Sequence, residues 1–301
     1  MSTEFINELF SNGINFHSIY YHDNKWKIIE FIQYKDNPHN SDPNQYLSYR
    51  RRLYLLYEAS KAINGELILV IYNNNNYKHN IKCGIVTKVD FTDHSRNYIT
   101  LNDIPHMKQN ITYDEFKGYF NNINGNAWIP PGLKINRYNL NYESKTIDKA
   151  DSYVKGFIKE LLGNNKTSGI DCDSVYYCGG KWKIIEFLKC EHDNITPHGS
   201  HPRNYPWNWK KFYMLYKLAE ALKGELILVN YSYRYPCKGK VSKMQVTGFD
   251  YDTIETYINT DYKARPSKLD YMTIKKEDIT FDKFKQIFRD MNYNSGLPPK
   301  I

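Results

Sequence analysis

No stretch of this 301-residue chain reaches the ~18 consecutive apolar residues that a membrane-crossing helix needs. Its opening residues, MSTEFINELF, are amphipathic and lack a basic segment followed by a long apolar core, so no secretory leader is expected. Cysteine is sparse: Cys83, Cys172, Cys178, Cys190 and Cys237 contain no CxxC spacing. Their odd number and uneven spread argue against a disulfide framework and for a reducing, cytoplasmic compartment. Also missing are a Walker loop, a dinucleotide fingerprint, HExxH and GxSxG, the local signatures of several nucleotide-binding and hydrolytic enzymes. The KLAEALKGE segment is an ordinary amphipathic helix, so a membrane is not an expected partner.

What the chain does hold is a basic excess, 41 Lys and Arg against 33 Asp and Glu, for a net charge of +8. That balance favours an anionic partner. The 28 tyrosines and the Asn run at 73–76 are read as compositional bias and loop sequence. A hydrophobic content of 41% over this length suits two domains, each with its own core.

The chain repeats itself. Residues 14–33 align without gaps to 170–189, with 11 of 20 positions identical, including KWKIIEF at 25–31 and 181–187. GELILV recurs at 65–70 and 224–229, TYDEF at 112–116 matches TFDKF at 280–284, and Pro130-Pro131 matches Pro298-Pro299. Four matched blocks in one order make a tandem repeat of roughly 150 residues, far longer than a solenoid unit. The expectation is an α/β chain of two tandem similar domains, at 1–140 and 147–301, joined somewhere in 132–150.

Both copies read alike. A helix (4–10; 152–162) precedes a short strand (17–21; 173–177). A hairpin turn, DNK or CGG, leads into KWKIIEF, whose β-branched and aromatic content suits a strand. After a polar, Pro-rich loop (36–45; 192–206) comes a helix, marked in the second copy by Phe212, Leu215, Tyr216, Ala219 and Leu222 on one apolar face. Gly65 and Gly224 stand where a helix C-cap belongs, and GELILV reads as a strand buried on both faces. Further strands (83–91; 240–251) and a last helix capped by Thr112 or Thr280 complete a mixed sheet flanked by helices.

Glu186 ends an apolar strand, where an uncompensated carboxylate is expensive to bury. Upstream, GIDCDSVYY carries Asp171 and Asp173, which share one face of an extended strand because side chains alternate. Antiparallel pairing through Gly179-Gly180 would return Glu186 to the neighbourhood of these aspartates. Carboxylates so gathered repel unless a divalent cation joins them, and an oxygen-rich site suits Mg²⁺ or Mn²⁺. Asp171, Asp173 and Glu186 are therefore the candidate metal ligands.

With these residues in place, the sequence resembles the PD-(D/E)XK nuclease superfamily over about 60 residues of each copy. The resemblance implies a restriction-endonuclease-like fold. It also implies a metal-dependent endonuclease that hydrolyses phosphodiester bonds, in DNA rather than RNA, with Asp173, Glu186 and Lys189 as the catalytic residues. The family places lysine two residues after the glutamate; here that position is Leu188, and lysine follows at Lys189. A regular strand turns Lys189 away from Glu186, so either a β-bulge turns it back or another lysine, such as Lys210, substitutes. The first copy keeps Glu30 but has Asn15, His17 and Gln33 in place of Asp171, Asp173 and Lys189, as a degenerate, fold-preserving copy would. A salt bridge to Lys25 or Arg50 is the expected reason for keeping Glu30.

Basic and aromatic residues meet at one matched location in both copies, the start of the helix after the strand pair. Arg50, Arg51, Arg52, Trp209, Lys210 and Lys211 are the candidate nucleic-acid contacts. His192, His198 and His201, with Asp193, match no standard zinc spacing and are read as loop residues. One competent site per chain predicts nicking, or double-strand cleavage by a homodimer. A non-catalytic protein of the same fold, binding nucleic acid or protein, is the competing expectation.

Overall fold

The repeated KWKIIEF forms the second arm of a β-hairpin in both copies. The computed structural model describes residues 14–34, 43–73, 81–87, 112–125, 130–133, 169–190, 196–232 and 239–298. The helices expected at 4–10 and 152–162 lie outside these residues, as do His192 and Asp193. The chain forms two compact units, one built chiefly of Phe16–Ile129 and the other of Cys172–Leu297. Residues 130–133 belong to the second.

In the first unit, β1 (Ile14–His22) and β2 (Lys25–Tyr34) pair antiparallel around Asp23 and Asn24. Both turn residues have positive φ, 51° and 57°, the geometry that matches the twist of the flanking strands. Helix α1 (Pro43–Ala62) carries the chain back to β3 (Glu66–Asn73), which lies parallel to β2. A parallel neighbour requires such a crossover. Strand β4 (Ile81–Ile85) adds antiparallel to β3, giving the order β4-β3-β2-β1, and α2 (Tyr113–Gly125) follows. Thr112 and Glu115 form a reciprocal cap at its start: the Thr112 N–H donates to the Glu115 carboxylate (2.7 Å) and the Glu115 N–H to Thr112 Oγ1 (3.2 Å).

The second unit repeats this register. Strands β5 (Ile170–Cys178) and β6 (Lys181–Lys189) form the hairpin, with Gly179 and Gly180 at φ 61° and 76°. Helix α3 (Trp209–Ala221) crosses to β7 (Glu225–Tyr231), parallel to β6. Ser18 faces Ile29 as Ser174 faces Ile185, and Lys27 faces Glu66 as Lys183 faces Glu225. Strand β8 (Lys240–Phe249), helix α4 (Tyr251–Asn259) and strand β9 (Met272–Thr280) extend the order to β5-β6-β7-β8-β9 before α5 (Phe281–Tyr293). Each unit is thus α/β with a mixed sheet. Sequence reading ran the strand after GELILV on to residue 251; it stops at Phe249, where Asp250 accepts a hydrogen bond from the Thr253 N–H (3.0 Å) and caps α4.

Alternation along the repeated strand decides what covers each face. Phe31 packs with Tyr20, Val70 and Tyr72 against Phe116 and Phe120 of α2. Phe187 packs with Tyr176, Val229 and Tyr231 against Phe284 and Phe288 of α5. The residue before each phenylalanine, Glu30 or Glu186, points to the other face, toward α1 or α3. The glycines at the helix ends serve a close approach. The left-handed residues are Asn64 and Lys223, at φ 50° and 53°. Gly65 and Gly224 come next, and a Cβ at Gly224 would sit 2.4 Å from the Trp182 carbonyl oxygen, against 2.6 Å from that of Trp26 for Gly65. These carbonyls belong to strands β2 and β6, so only glycine fits where each helix hands over to its strand.

Candidate active site

In the second unit, Asp173 and Glu186 stand one step beyond the paired residues Ser174 and Ile185, on adjacent strands. Both are buried, at 8% and 3% exposure. Asp173 is fixed by its own side chain: Oδ2 accepts the Phe187 N–H at 2.7 Å. Glu186 is compensated from α3, where Lys211 Nζ lies 2.5 Å from Oε1. Cys172 lies within electrostatic range of all three. Burial pushes its thiol well above its ordinary range, the carboxylates of Glu186 and Asp173 push it further, and Lys211 pulls it partly back. Two carboxylates and one ammonium are thereby gathered at the mouth of the β5–β6 hairpin, on the α3 side of the sheet.

The first unit has a different arrangement at the matched position. Arg52 holds Glu30 with both arms, Nε to Oε1 at 2.6 Å and Nη2 to Oε2 at 2.8 Å. Planar, two-point geometry of this kind is the strong form of a carboxylate pair. Arg52 and Lys211 each stand thirteen residues before the glycine that starts GELILV. Arg52 is thus a partner of Glu30; Lys25 Nζ lies 3.7 Å from Glu66, and the expected Arg50 contact falls outside the described side chains. A second ion pair is shared by the copies, Lys27–Glu66 at 2.6 Å and Lys183–Glu225 at 3.0 Å. Opposite Glu30 the register position is His17, so this copy has one carboxylate where the other has two.

The remaining sequence candidates are placed as follows. Asp171 is exposed, whereas Asp173 beyond it is buried. Lys189 is exposed, and the β6–β7 ladder continues without a break to Lys189 opposite Tyr231. No bulge turns it, so alternation keeps it on the face opposite Glu186. The lysine that reaches Glu186 is neither Lys189 nor Lys210 but Lys211; Lys210 Nζ lies 5.9 Å from the centroid of the Trp209 ring. Trp209 is 4% exposed and packs as a core residue, which leaves no ring face for a base. The exposed ring is Trp207, at 57%. The side chains of Arg50 and Arg51 lie outside the described residues. His201 Nδ1 accepts the Arg203 N–H (3.2 Å) within the loop, and His198 Nε2 lies 3.3 Å from the carbonyl of Ile279 on β9.

Among the described residues, no group of three or more His, Cys, Asp and Glu side chains is gathered as a metal cage. The donor set at Asp173 and Glu186 is two carboxylates, which suits a hard cation that keeps several waters. No described helix is long and apolar enough to cross a membrane. Comparison of the chain with protein-family models, with characterised proteins and with solved structures finds no match.

Proposed function

We propose that the chain is a duplicated, restriction-endonuclease-like protein whose second copy is a Mg²⁺- or Mn²⁺-dependent DNA nuclease and whose first copy is a degenerate, binding copy. The observation that carries this reading is that Asp173 and Glu186 stand opposite each other on adjacent strands with Lys211 paired to Glu186, where the first copy has His17 opposite a Glu30 held by Arg52. Asp173 and Glu186 would hold the cation, which when bound supplies an activated water and neutralises charge on the scissile phosphate. Lys211 would orient the attacking water and stabilise negative charge that develops on the phosphate oxygens. Its stem comes from α3, so it takes the part that the family gives to a lysine on the strand. Asp173 would be held in place by the Phe187 N–H, and burial would keep bulk water away from both carboxylates. Arg52 is unsuited to the same work, because a guanidinium already committed to two hydrogen bonds cannot leave Glu30 without stranding a buried charge.

Supercoiled plasmid incubated with Mg²⁺ or Mn²⁺ tests the reading. The wild type should nick or linearise it, and the isosteric variants Asp173→Asn and Glu186→Gln should leave it intact. A wild type that spares DNA and RNA across both metals ends the catalytic reading. A second reading has one observation of its own: the glutamate-to-helix ion pair occurs in both copies. It makes Lys211 a structural counter-ion and the protein a non-catalytic binder. DNA binding that weakens steeply with salt but ignores divalent cations would favour it.

A further inference from the structure

Trp207 is the only exposed tryptophan among the described residues; Trp26, Trp182 and Trp209 are all buried. An indole left in water is unremarkable when it is mobile and isolated. This one is neither. It sits on the second of two consecutive 3₁₀ turns, Pro202–Asn204 and Pro206–Asn208, each opened by a buried proline that fixes φ. Tyr205 braces it edge-to-face, centroids 5.8 Å apart at 82°, and the Tyr205 hydroxyl is 2.9 Å from Oγ of buried Ser200. The Ser200 carbonyl in turn accepts from Asn230 Nδ2 (3.2 Å), a fully buried residue of β7. The ring is therefore presented rigidly, through a chain of contacts that ends in the sheet.

Its position links it to the candidate site. Trp207 precedes Lys211 by four residues along a continuous 3₁₀-to-α path, roughly 6–7 Å along the axis. That is about the spacing of one nucleotide in an extended strand. Along the chain, Arg203 precedes Trp207 and Lys210 follows it; Arg203 pairs loosely with Asp270 at 3.7 Å on the exposed surface, and Lys210 Nζ lies 5.9 Å from the Trp209 centroid. Counting back from the GELILV glycines, the matched residue of the first copy is Ser48. The matched position thus carries a ring only in the copy with two carboxylates.

We infer that Trp207 is a stacking platform for an unpaired base, so that the substrate class is single-stranded DNA, or DNA with a single-stranded branch, rather than intact duplex. The inference rests on the nuclease reading for what happens at the phosphate, but not for the binding itself. A duplex hides its base faces in the stack, while a single strand offers each of them to a flat ring, and the flanking cations take the phosphates. Pre-organisation of the ring lowers the entropy lost on binding.

The test is fluorescence anisotropy of labelled dT12 and of a 12-base-pair duplex, in EDTA so that nothing is cleaved. The wild type should prefer dT12. Trp207→Ala should weaken dT12 binding about tenfold, equivalent to ~1.4 kcal/mol, and leave duplex binding within about twofold. Trp207→Phe should recover most of the loss, and an unchanged urea midpoint for each variant excludes misfolding. Equal loss on both probes, no loss, or no binding to dT12 overturns the inference; tighter binding to U12 than to dT12 overturns the choice of DNA. Plasmid cleavage by wild type in Mg²⁺ without this stacking signature sinks the inference alone. The signature without cleavage of plasmid or of labelled single-stranded DNA in Mg²⁺ or Mn²⁺ sinks the nuclease reading alone.

Discussion

Replacing the helix cation in each copy separates a structural ion pair from a metal site. Glu30 and Glu186 are both buried, and each is compensated by one residue of the following helix, Arg52 or Lys211. Removing one partner of a buried pair costs roughly 3–5 kcal/mol, because the other charge is left in a poor solvent. Arg52→Met should cost that amount in full, since the lost guanidinium made two short hydrogen bonds. Lys211 keeps 26% of its side chain exposed, so Lys211→Met belongs near the lower end, about 3 kcal/mol. The two variants should then diverge when Mg²⁺ or Mn²⁺ is added. A cation that bridges Asp173 and Glu186 substitutes for the missing ammonium, and at a hundredfold excess over its dissociation constant it returns about 2.7 kcal/mol. In the Arg52→Met protein a single carboxylate has no second ligand, and the metal should restore nothing. Urea unfolding with and without the metal reads both numbers, with Trp26 on β2 and Trp182 on β6 as buried reporters of the two units. Equal responses of the two variants to the cation would show that the carboxylate pair grips no metal, and Lys211 would then be a counter-ion and nothing more.

Three further outcomes follow from the geometry. Gly224→Ala should destabilise by roughly 1–3 kcal/mol in urea unfolding, because its Cβ meets backbone at 2.4 Å, whereas Gly296→Ala, with open space around it, should change stability by less than about 0.5 kcal/mol. Burial pushes the Cys83 thiol up to about 12, so it stays protonated at pH 8, and iodoacetamide should modify it only after unfolding, as read by mass spectrometry of the native and denatured protein. Asp250 caps α4 and its carboxyl is held below the ordinary 3.8 by the Thr253 N–H and hydroxyl. Its folded value is depressed, so its contribution is complete above about pH 4 and vanishes as pH falls through the lowered value; Asp250→Ala should cost ~1 kcal/mol at pH 7 and nothing once the carboxyl is protonated.

The repeat, both hairpins and the helix-crossover to GELILV were legible because each rests on local signals: identity between copies, turn residues that tolerate positive φ, and runs too apolar for an exposed face. The meeting of Asp173 with Glu186 was legible for the same reason, since a two-residue hairpin turn fixes the register of both strands. Lys211 was not. Which of two adjacent helix lysines reaches a strand depends on how α3 is rolled against the sheet, and that is set by packing of Phe212, Leu215 and Leu218 rather than by the lysines themselves. That Trp209 is buried while Trp207 is exposed was hidden for a related cause: the chain passes from a 3₁₀ turn to an α-helix between them, so their faces cannot be counted off with one period. Strand β9 escaped notice because Lys275, Lys276, Glu277 and Asp278 fill its middle, and a strand lying beside a single neighbour needs little apolar patterning.

The identity of the two KWKIIEF strands also bears on how the chain reaches its native state. The five pairs from Lys27–Glu66 to Phe31–Val70 are repeated residue for residue from Lys183–Glu225 to Phe187–Val229, so over that stretch neither neighbour can tell its proper partner from the other. During synthesis the ambiguity does not arise, because the earlier segment can be sequestered before the later one leaves the ribosome. Dilution from denaturant presents both at once. Exchange of the two strands is then a trap that lengthens refolding without dependence on protein concentration, and vectorial translation is what shields the duplicated chain from it.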